Sequence, residues 1–417
     1  MADEHTPAAR QANRQAAGVW VRRYNREMAV VLGLTRLLAS GDLEGLRVGL
    51  LCNPASVDAE LRHATDLIFD APGVTLGALF GPQHGFRSDL QDNMIESPHV
   101  ADARRRVPIY SLYSETREPT PAMLKGLDLL VVDLQDVGAR IYTFIYTMAN
   151  CLRAAARHKL PVVVCDRPNP IGGDAVEGPM LEPGYESFVG QFPIPMRHAM
   201  SVGELAMLFN DEFGLGADLT VTRCEGWSRG MYFDETGLAW VMPSPNMPTL
   251  DTAIVYPGAV LFEGTMLSEG RGTTRPFETL GAPWIDAERF AGAVNAMDLP
   301  GVRFRPVVFE PTFQKHVQTA CGGCQIHVRD RRTFLPVLTG VALMSTFRAL
   351  DPARFAWRQP PYEYEHDKMP IDILAGSPAL RTQIEAGVDA RCIAASWQPG
   401  VAAFQQVRQR YLLYPPG

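Results

Sequence analysis

The 417-residue sequence lacks most of the features that classify a chain at a glance. No apolar run reaches the roughly 18 residues of a membrane-spanning helix. Lys and Arg gather in no single block and the formal net charge is −7, which argues against nucleic acid or an anionic membrane as partner. The seven cysteines, an odd number spread along the chain, suggest reduced thiols rather than a disulfide framework. The turn after the first predicted strand, Cys52-Asn53-Pro54-Ala55-Ser56, carries no GxGxxG fingerprint, so nicotinamide chemistry is not expected. A GxxxxGK[ST] phosphate loop and a GxSxG nucleophile elbow are missing too. No cofactor is implied. Internal repeats and low-complexity tracts are absent, and nothing points to an oligomeric state. Met28 to Leu34 is cut short by Arg36 before a signal-type apolar region develops, so a cytoplasmic protein is expected.

The composition that remains, 46% hydrophobic and 20% charged, is that of a globular enzyme, and the length suggests two domains with room for a cleft between them. Short apolar runs alternate with helix-like segments, which predicts an α/β fold with a parallel sheet. The predicted strands are Arg47 to Cys52, Val74 to Phe80, Leu127 to Asp133, Pro161 to Cys165 and Asp218 to Cys224. Thr120-Pro121 signals the start of a short helix, Ser201 and Glu204 form a capping box before Leu205 to Phe213, and Tyr142 to His158 has helical apolar spacing. Pro243-Ser244-Pro245-Asn246-Met247-Pro248 reads as a rigid linker or cleft-lining loop. Beyond it, Gly-rich loops and short strands precede one late helix near Pro378 to Ala386. The expected domains are 28–252, Rossmann-like, and 253–417, smaller and of α+β type.

In such sheets ligands bind beyond the carboxyl ends of the strands. Polar clusters fall at four of those ends: Asn53; Gln83 and His84; Asp133, Gln135, Asp136 and Arg140; Asp166, Arg167 and Asn169. Their coincidence predicts a site for a small ligand. A second dense stretch, Phe262 to Glu278, holds Glu269, Arg271 and Arg275 among several glycines. Its charges either pair with one another or meet a ligand carboxylate, which a guanidinium grips in bidentate fashion. Cys321-Gly322-Gly323-Cys324 between His316 and His327 raises a zinc reading, but a single CxxC on an alternating, strand-like run favours structural cysteines, and no metal is expected.

Gly81-Pro82-Gln83-His84-Gly85-Phe86, Asp133-Leu134-Gln135-Asp136-Val137-Gly138-Ala139-Arg140, Asp166-Arg167-Pro168-Asn169-Pro170, Pro195-Met196-Arg197-His198 and Ser268-Glu269-Gly270-Arg271-Gly272-Thr273-Thr274-Arg275-Pro276-Phe277 follow in one order along the chain. Together they resemble the bacterial exo-β-N-acetylmuramidases of the NamZ type. The resemblance implies a Rossmann-like domain, a smaller C-terminal domain and a catalytic cleft at their interface, with release of N-acetylmuramic acid from the non-reducing end of peptidoglycan fragments. Muramic acid carries a lactyl carboxylate, so an Arg clamp has a purpose, and Arg140, Arg197, Arg271 and Arg275 are the candidates. Asn53, Arg87, Tyr142, Asp166, Arg167, Asn169 and Glu269 complete the expected substrate contacts. Asp133 and Gln135 are expected on sugar hydroxyls and Asp136 on Arg140.

One departure matters. The family's proposed catalytic acid is the Glu of a Pro-Glu-His-Gly motif, and this chain has Gln83 there. An amide has no proton to give a leaving glycosidic oxygen. Either the acid has moved, to Glu96 or Asp92 in the same loop, or the sugar's acetamido group assists with one carboxylate as acid, or the chain binds muramic-acid ligands without hydrolysis or acts on another amino sugar. His84 would orient the serving carboxylate or donate a proton itself.

Overall fold

The computed structural model describes residues 30–88, 90–91 and 95–417. Twelve strands are numbered in chain order. β1 (Arg47–Cys52), β2 (Thr75–Gly81), β3 (Val100–Asp102), β4 (Val107–Ser111), β5 (Leu129–Asp133), β6 (Val162–Cys165) and β9 (Leu219–Thr222) form a sheet of order β3-β4-β2-β1-β5-β6-β9. All its pairs are parallel except β3 with β4. Successive residues of a strand leave opposite faces, so Leu50, Leu79 and Val131 enter one apolar cluster while Leu51, Phe80 and Val132 enter another. Both faces are therefore covered. This is why the inner strands read as continuous apolar runs instead of alternating with polar residues.

The five strands predicted from sequence are present, with ends shifted by at most two residues. β3, at the edge of the sheet, and β4 beside it were not anticipated. β3 is three residues long, and Pro108 inside β4 reads as a strand breaker. The Ser201–Glu204 capping box forms as expected, opening the helix Val202–Glu212. Thr120 occupies the N-cap of Pro121–Leu124, but its side chain makes no capping bond.

A two-stranded ribbon of β7 (Glu177–Met180) and β8 (Pro195–Arg197) leaves the first half. In the second half β10 (Thr279–Ala282), β11 (Val302–Phe309) and β12 (Cys321–Val328) make an antiparallel sheet of order β10-β12-β11. This half holds more helix than the single late one expected. Besides Ala379–Glu385 it has Ala287–Ala296, Pro336–Leu350, Pro370–Ala375, Ala390–Ser396 and Gln398–Arg408. Pro336–Leu350 escaped notice because it is buried on nearly every side, and a helix apolar all round shows no 3.6-residue alternation.

Residue 252 falls within the helix Leu250–Ala259. That helix packs against Pro336–Leu350 with backbone almost touching backbone: a Cβ on Gly340 would lie 2.4 Å from the Gly258 carbonyl oxygen. Only glycines permit this approach. The helix continues into a 3-10 turn, Val260–Gly264, so the close crossing also fixes where Glu263 points. Among the described residues no helix is long and apolar enough to cross a membrane.

Candidate active site

The polar residues at the strand ends divide into two groups. The first is consumed by the protein itself. Arg167 grips Asp133 with two bonds, Nε to Oδ1 at 2.6 Å and Nη2 to Oδ2 at 2.8 Å, and both residues are buried. Asp166, fully buried, accepts from the Ser201 hydroxyl at 2.6 Å, the Gly203 amide at 2.7 Å and the Tyr414 hydroxyl at 2.5 Å. Burial pushes its carboxyl up to about 6, although these three donors oppose the rise. Asn53 donates to the Gln135 carbonyl, Gln135 to the carbonyls of Asp136 and Pro168, and Asn169 to that of Met200.

These partners leave neither Asp133 nor Gln135 placed as expected for sugar hydroxyls. Asp136 does not meet Arg140 either: it accepts from the Gly138 amide and lies 3.4 Å from His198 Nε2. The Arg140 guanidinium is wholly buried and donates instead to the carbonyls of Pro179, Ile194 and Leu374, which ties the two halves together. Carbonyls stabilise the cation less than a carboxylate would, and burial lowers Arg140 to about 10. Arg197 donates to the Ile171 carbonyl and the Tyr232 hydroxyl.

The second group lines a cavity between the two halves. Gln83, His84 and Tyr142 enter it from the first half, Ser244 and Asn246 from the Pro-rich loop, and Glu263, Arg271, Tyr362 and Glu363 from the second half. Gln83 arrives because the chain folds back sharply after β2: a Cβ on Gly81 would lie 2.8 Å from the Phe86 amide nitrogen. Its Oε1 accepts from the Thr143 hydroxyl at 2.8 Å. His84, at φ 71°, bonds through Nδ1 to the Leu90 carbonyl. The Tyr142 hydroxyl, beside Ser244, has no hydrogen bond of good geometry among the described residues.

Two buried carboxylates missed in the sequence dominate this cavity. Glu263 Oε1 accepts from Arg271 and Oε2 from the Tyr362 hydroxyl, each at 2.6 Å. Burial would raise its pKa, but the guanidinium and the hydroxyl outweigh burial and hold it below the usual carboxylate range. Glu363 is pushed the other way, up to about 7, first by burial and then by the charge of Glu263, with the Tyr113 hydroxyl and Arg271 opposing. Tyr113 donates to Glu363 Oε2 at 3.3 Å. Glu363 follows Pro360-Pro361-Tyr362, an aromatic and acidic stretch after a proline pair that could have drawn notice in the sequence.

The charged stretch around Arg271 proves to be chiefly an internal network. Glu269 meets Lys315 at 2.7 Å and Arg271 at 3.5 Å, and Arg275 pairs with Glu278 at the half-exposed end. Glu96, the relocated acid expected from the sequence, is not in the cavity. Its side chain is 51% exposed and faces Arg117 at 3.4 Å. Asp92 lies outside the described residues. Arg87 is exposed and borders a separate groove with Phe86 and Ile109 beside the sheet edge. Cys321 and Cys324, three apart on β12, leave opposite faces of the strand, and no group of three metal-ligating side chains occurs among the described residues.

Two family models cover almost the whole chain: exo-β-N-acetylmuramidase NamZ, N-terminal, over residues 48–251, and its C-terminal counterpart over 254–414. A Bacillus subtilis (strain 168) protein named peptidoglycan β-N-acetylmuramidase NamZ is 46% identical over 372 residues, 89% of this chain and 88% of that protein. Two crystal structures of DUF1343 family proteins from Bacteroides fragilis superpose with TM-scores of 0.83 and 0.74, at 36% and 28% identity. Each match covers 93% of this chain and 99% of the other. With both halves matched by its models and a relative 46% identical over most of its length, this chain belongs to the exo-β-N-acetylmuramidase NamZ family.

Proposed function

We propose that this protein hydrolyses the terminal β-linked N-acetylmuramic acid from the non-reducing end of peptidoglycan fragments, as a step of cell-wall turnover and recycling. The observation that carries this reading is the cavity between the halves, where a guanidinium and two glutamates of opposed protonation tendency meet the Gln83-His84 turn. Glycoside hydrolysis needs carboxyl groups whose environments separate their roles. Arg271 faces the lactyl carboxylate. Lys315 offsets the charge of Glu269, so the Arg271 cation is opposed chiefly by Glu263. Tyr142 and His84 bond the sugar, while the saturated strand-end residues hold the loops that present these groups. The same proposal places the protein in the cytoplasm, acting on small glycans and not on nucleic acid or membranes, with functional units dividing near residue 252.

Incubation with a muramyl disaccharide and with a chromogenic β-N-acetylmuramide tests the reaction. Release of N-acetylmuramic acid is expected; a pure, folded protein that releases none overturns it. The corresponding N-acetylglucosaminide, if cleaved faster, would reassign the sugar.

Gln83 favours a second reading, a module that binds muramic-acid ligands without cleaving them. That reading requires saturable binding by calorimetry with no turnover, and predicts that Gln83→Glu creates hydrolysis where none existed.

A further inference from the structure

Two glutamates and the Gln83 amide stand in this cavity where a carboxylic acid could supply the proton that a leaving glycosidic oxygen needs. Gln83 has none to give. Glu263 is committed, since one oxygen accepts from Arg271 and the other from Tyr362, an arrangement suited to a permanent anion. Glu363 remains. It is 3% exposed, lines the same cavity as Gln83 and His84, and arrives from the opposite half of the molecule.

We propose that Glu363 is the general acid of this chain, supplying from the second half the proton that Gln83 cannot. The inference rests on the hydrolytic reading above and adds the residue that makes it chemically possible.

The local backbone supports the assignment. Tyr362 and Glu365 exchange backbone hydrogen bonds at 2.9 Å in both directions, closing a two-residue turn around Glu363 and Tyr364. Both central residues have positive φ, 45° and 68°. Turns of that kind ordinarily carry Asn and Gly, because a Cβ is strained in the left-handed region. A glutamate and a tyrosine held there point to a site where side-chain placement outweighs backbone comfort. Packing holds the turn from outside: Arg117 lies over the rings of Tyr113 and Tyr364, 4.3 and 4.7 Å from their centroids, and Tyr113 reaches Glu363.

The electrostatics agree in sign. Glu263, Arg271, Arg358 and Tyr113 act on Glu363, and the Tyr256 and Tyr362 hydroxyls also face it; burial and the Glu263 anion favour its protonated form, while Tyr113, Arg271 and Arg358 oppose. In the reaction the Glu363 carboxylic acid passes its proton to the glycosidic oxygen as the C1–O bond breaks, and the remaining sugar leaves as an alcohol. Water adds to C1 and its surplus proton returns to the Glu363 carboxylate, so one water is consumed per bond cleaved and the acid is restored. Glu263 stays ionised throughout, stabilising positive charge at the anomeric carbon.

The test compares wild type with Glu363→Gln on two substrates, a muramyl disaccharide and a nitrophenyl β-N-acetylmuramide whose leaving group needs no proton. The disaccharide kcat is expected to fall by ~10²–10⁴-fold, with a far smaller loss on the aryl substrate, since general-acid assistance is worth about that much. Calorimetric affinity for N-acetylmuramic acid is expected to change little. Should Glu363→Gln fail to fold, wild-type kcat/KM against pH serves instead: it is expected to decline above about 7 for the disaccharide and to stay flat there for the aryl substrate. Equal loss on both substrates, or disaccharide cleavage within about tenfold of wild type, overturns the assignment while leaving the hydrolytic reading in place. A wild type inactive on both substrates overturns both readings.

Discussion

The carboxyl ends of β5 and β6 and the cavity between the halves use the same residue types to opposite ends. At the strand ends Asp133, Arg167 and Asp166 are enclosed with partners that satisfy them, whereas in the cavity Gln83, Arg271 and Glu363 border empty space. A polar cluster at a strand terminus is thus not a site until it is known what fills the space in front of it. Where protein donors fill it, the cluster fastens elements together. Where a cavity remains in front of it, the same kinds of group stay within reach of a ligand.

The sharpest way to break this contrast is to remove one partner from the saturated side. Asp133→Ala leaves the Arg167 guanidinium buried without its carboxylate, and a loss of about 3–5 kcal/mol in unfolding free energy is expected in a urea titration. A loss below about 1 kcal/mol would show the pair to be no fastening, and would return Asp133 to the list of ligand contacts.

On the cavity side the expectation reverses. Glu363 titrates near 7 when folded, against an ordinary value of 4.5. A folded-state pKa raised above the unfolded one contributes stability that is complete below about 4.5 and is lost as the pH rises through about 7. Replacement by the neutral isostere removes that loss. Glu363→Gln is therefore expected to be more stable than wild type at pH 8, by up to ~3 kcal/mol at 1.36 kcal/mol per unit, and no different at pH 4. Thermal unfolding at the two pH values reads this directly. A variant destabilised at pH 8 would mean that the carboxylate, and not the acid, is the form the fold accommodates.

A smaller effect separates the cavity from its supports. Tyr113→Phe deletes a hydrogen bond to Glu363 Oε2 worth about 1 kcal/mol, and that bond favours the ionised form. Its loss is expected to move the alkaline limb of the pH–rate profile upward. A downward shift would contradict the sign of the Tyr113 contribution. Smallest of all, Glu96→Gln is expected to leave turnover unchanged and stability within about 1 kcal/mol, as befits an exposed ion pair with Arg117. A large loss of turnover there would restore Glu96 as the acid.

Much of this was legible in the chain alone. β1, β2, β5 and β6 announce themselves as apolar runs bounded by turns, β9 by alternation, and the Ser201–Glu204 capping box forms as its spacing predicts. The Gln83 turn, Tyr142 and Arg271 also reach the cavity. Other expected contacts did not, for one physical reason. Residue type and position show that Arg140 or Asp136 is polar and near a strand end, but not which partner its side chain meets. Arg140 turns to three carbonyls and Asp136 to Gly138. The helix Pro336–Leu350 was hidden because burial all round erases periodicity.

The division between sequence and structure falls along the range of the forces involved. Strand periodicity, capping and short motifs are local patterns, and they suffice for the α/β sheet and the family. The pairing of Glu263 with Arg271, the turn that holds Glu363, and their meeting with Gln83 depend on where two distant halves of the chain close on each other. Only that closure withdraws both glutamates from water and sets one charge against the other. The upward shift of the Glu363 carboxyl is a property of the folded cavity and of no segment of the chain.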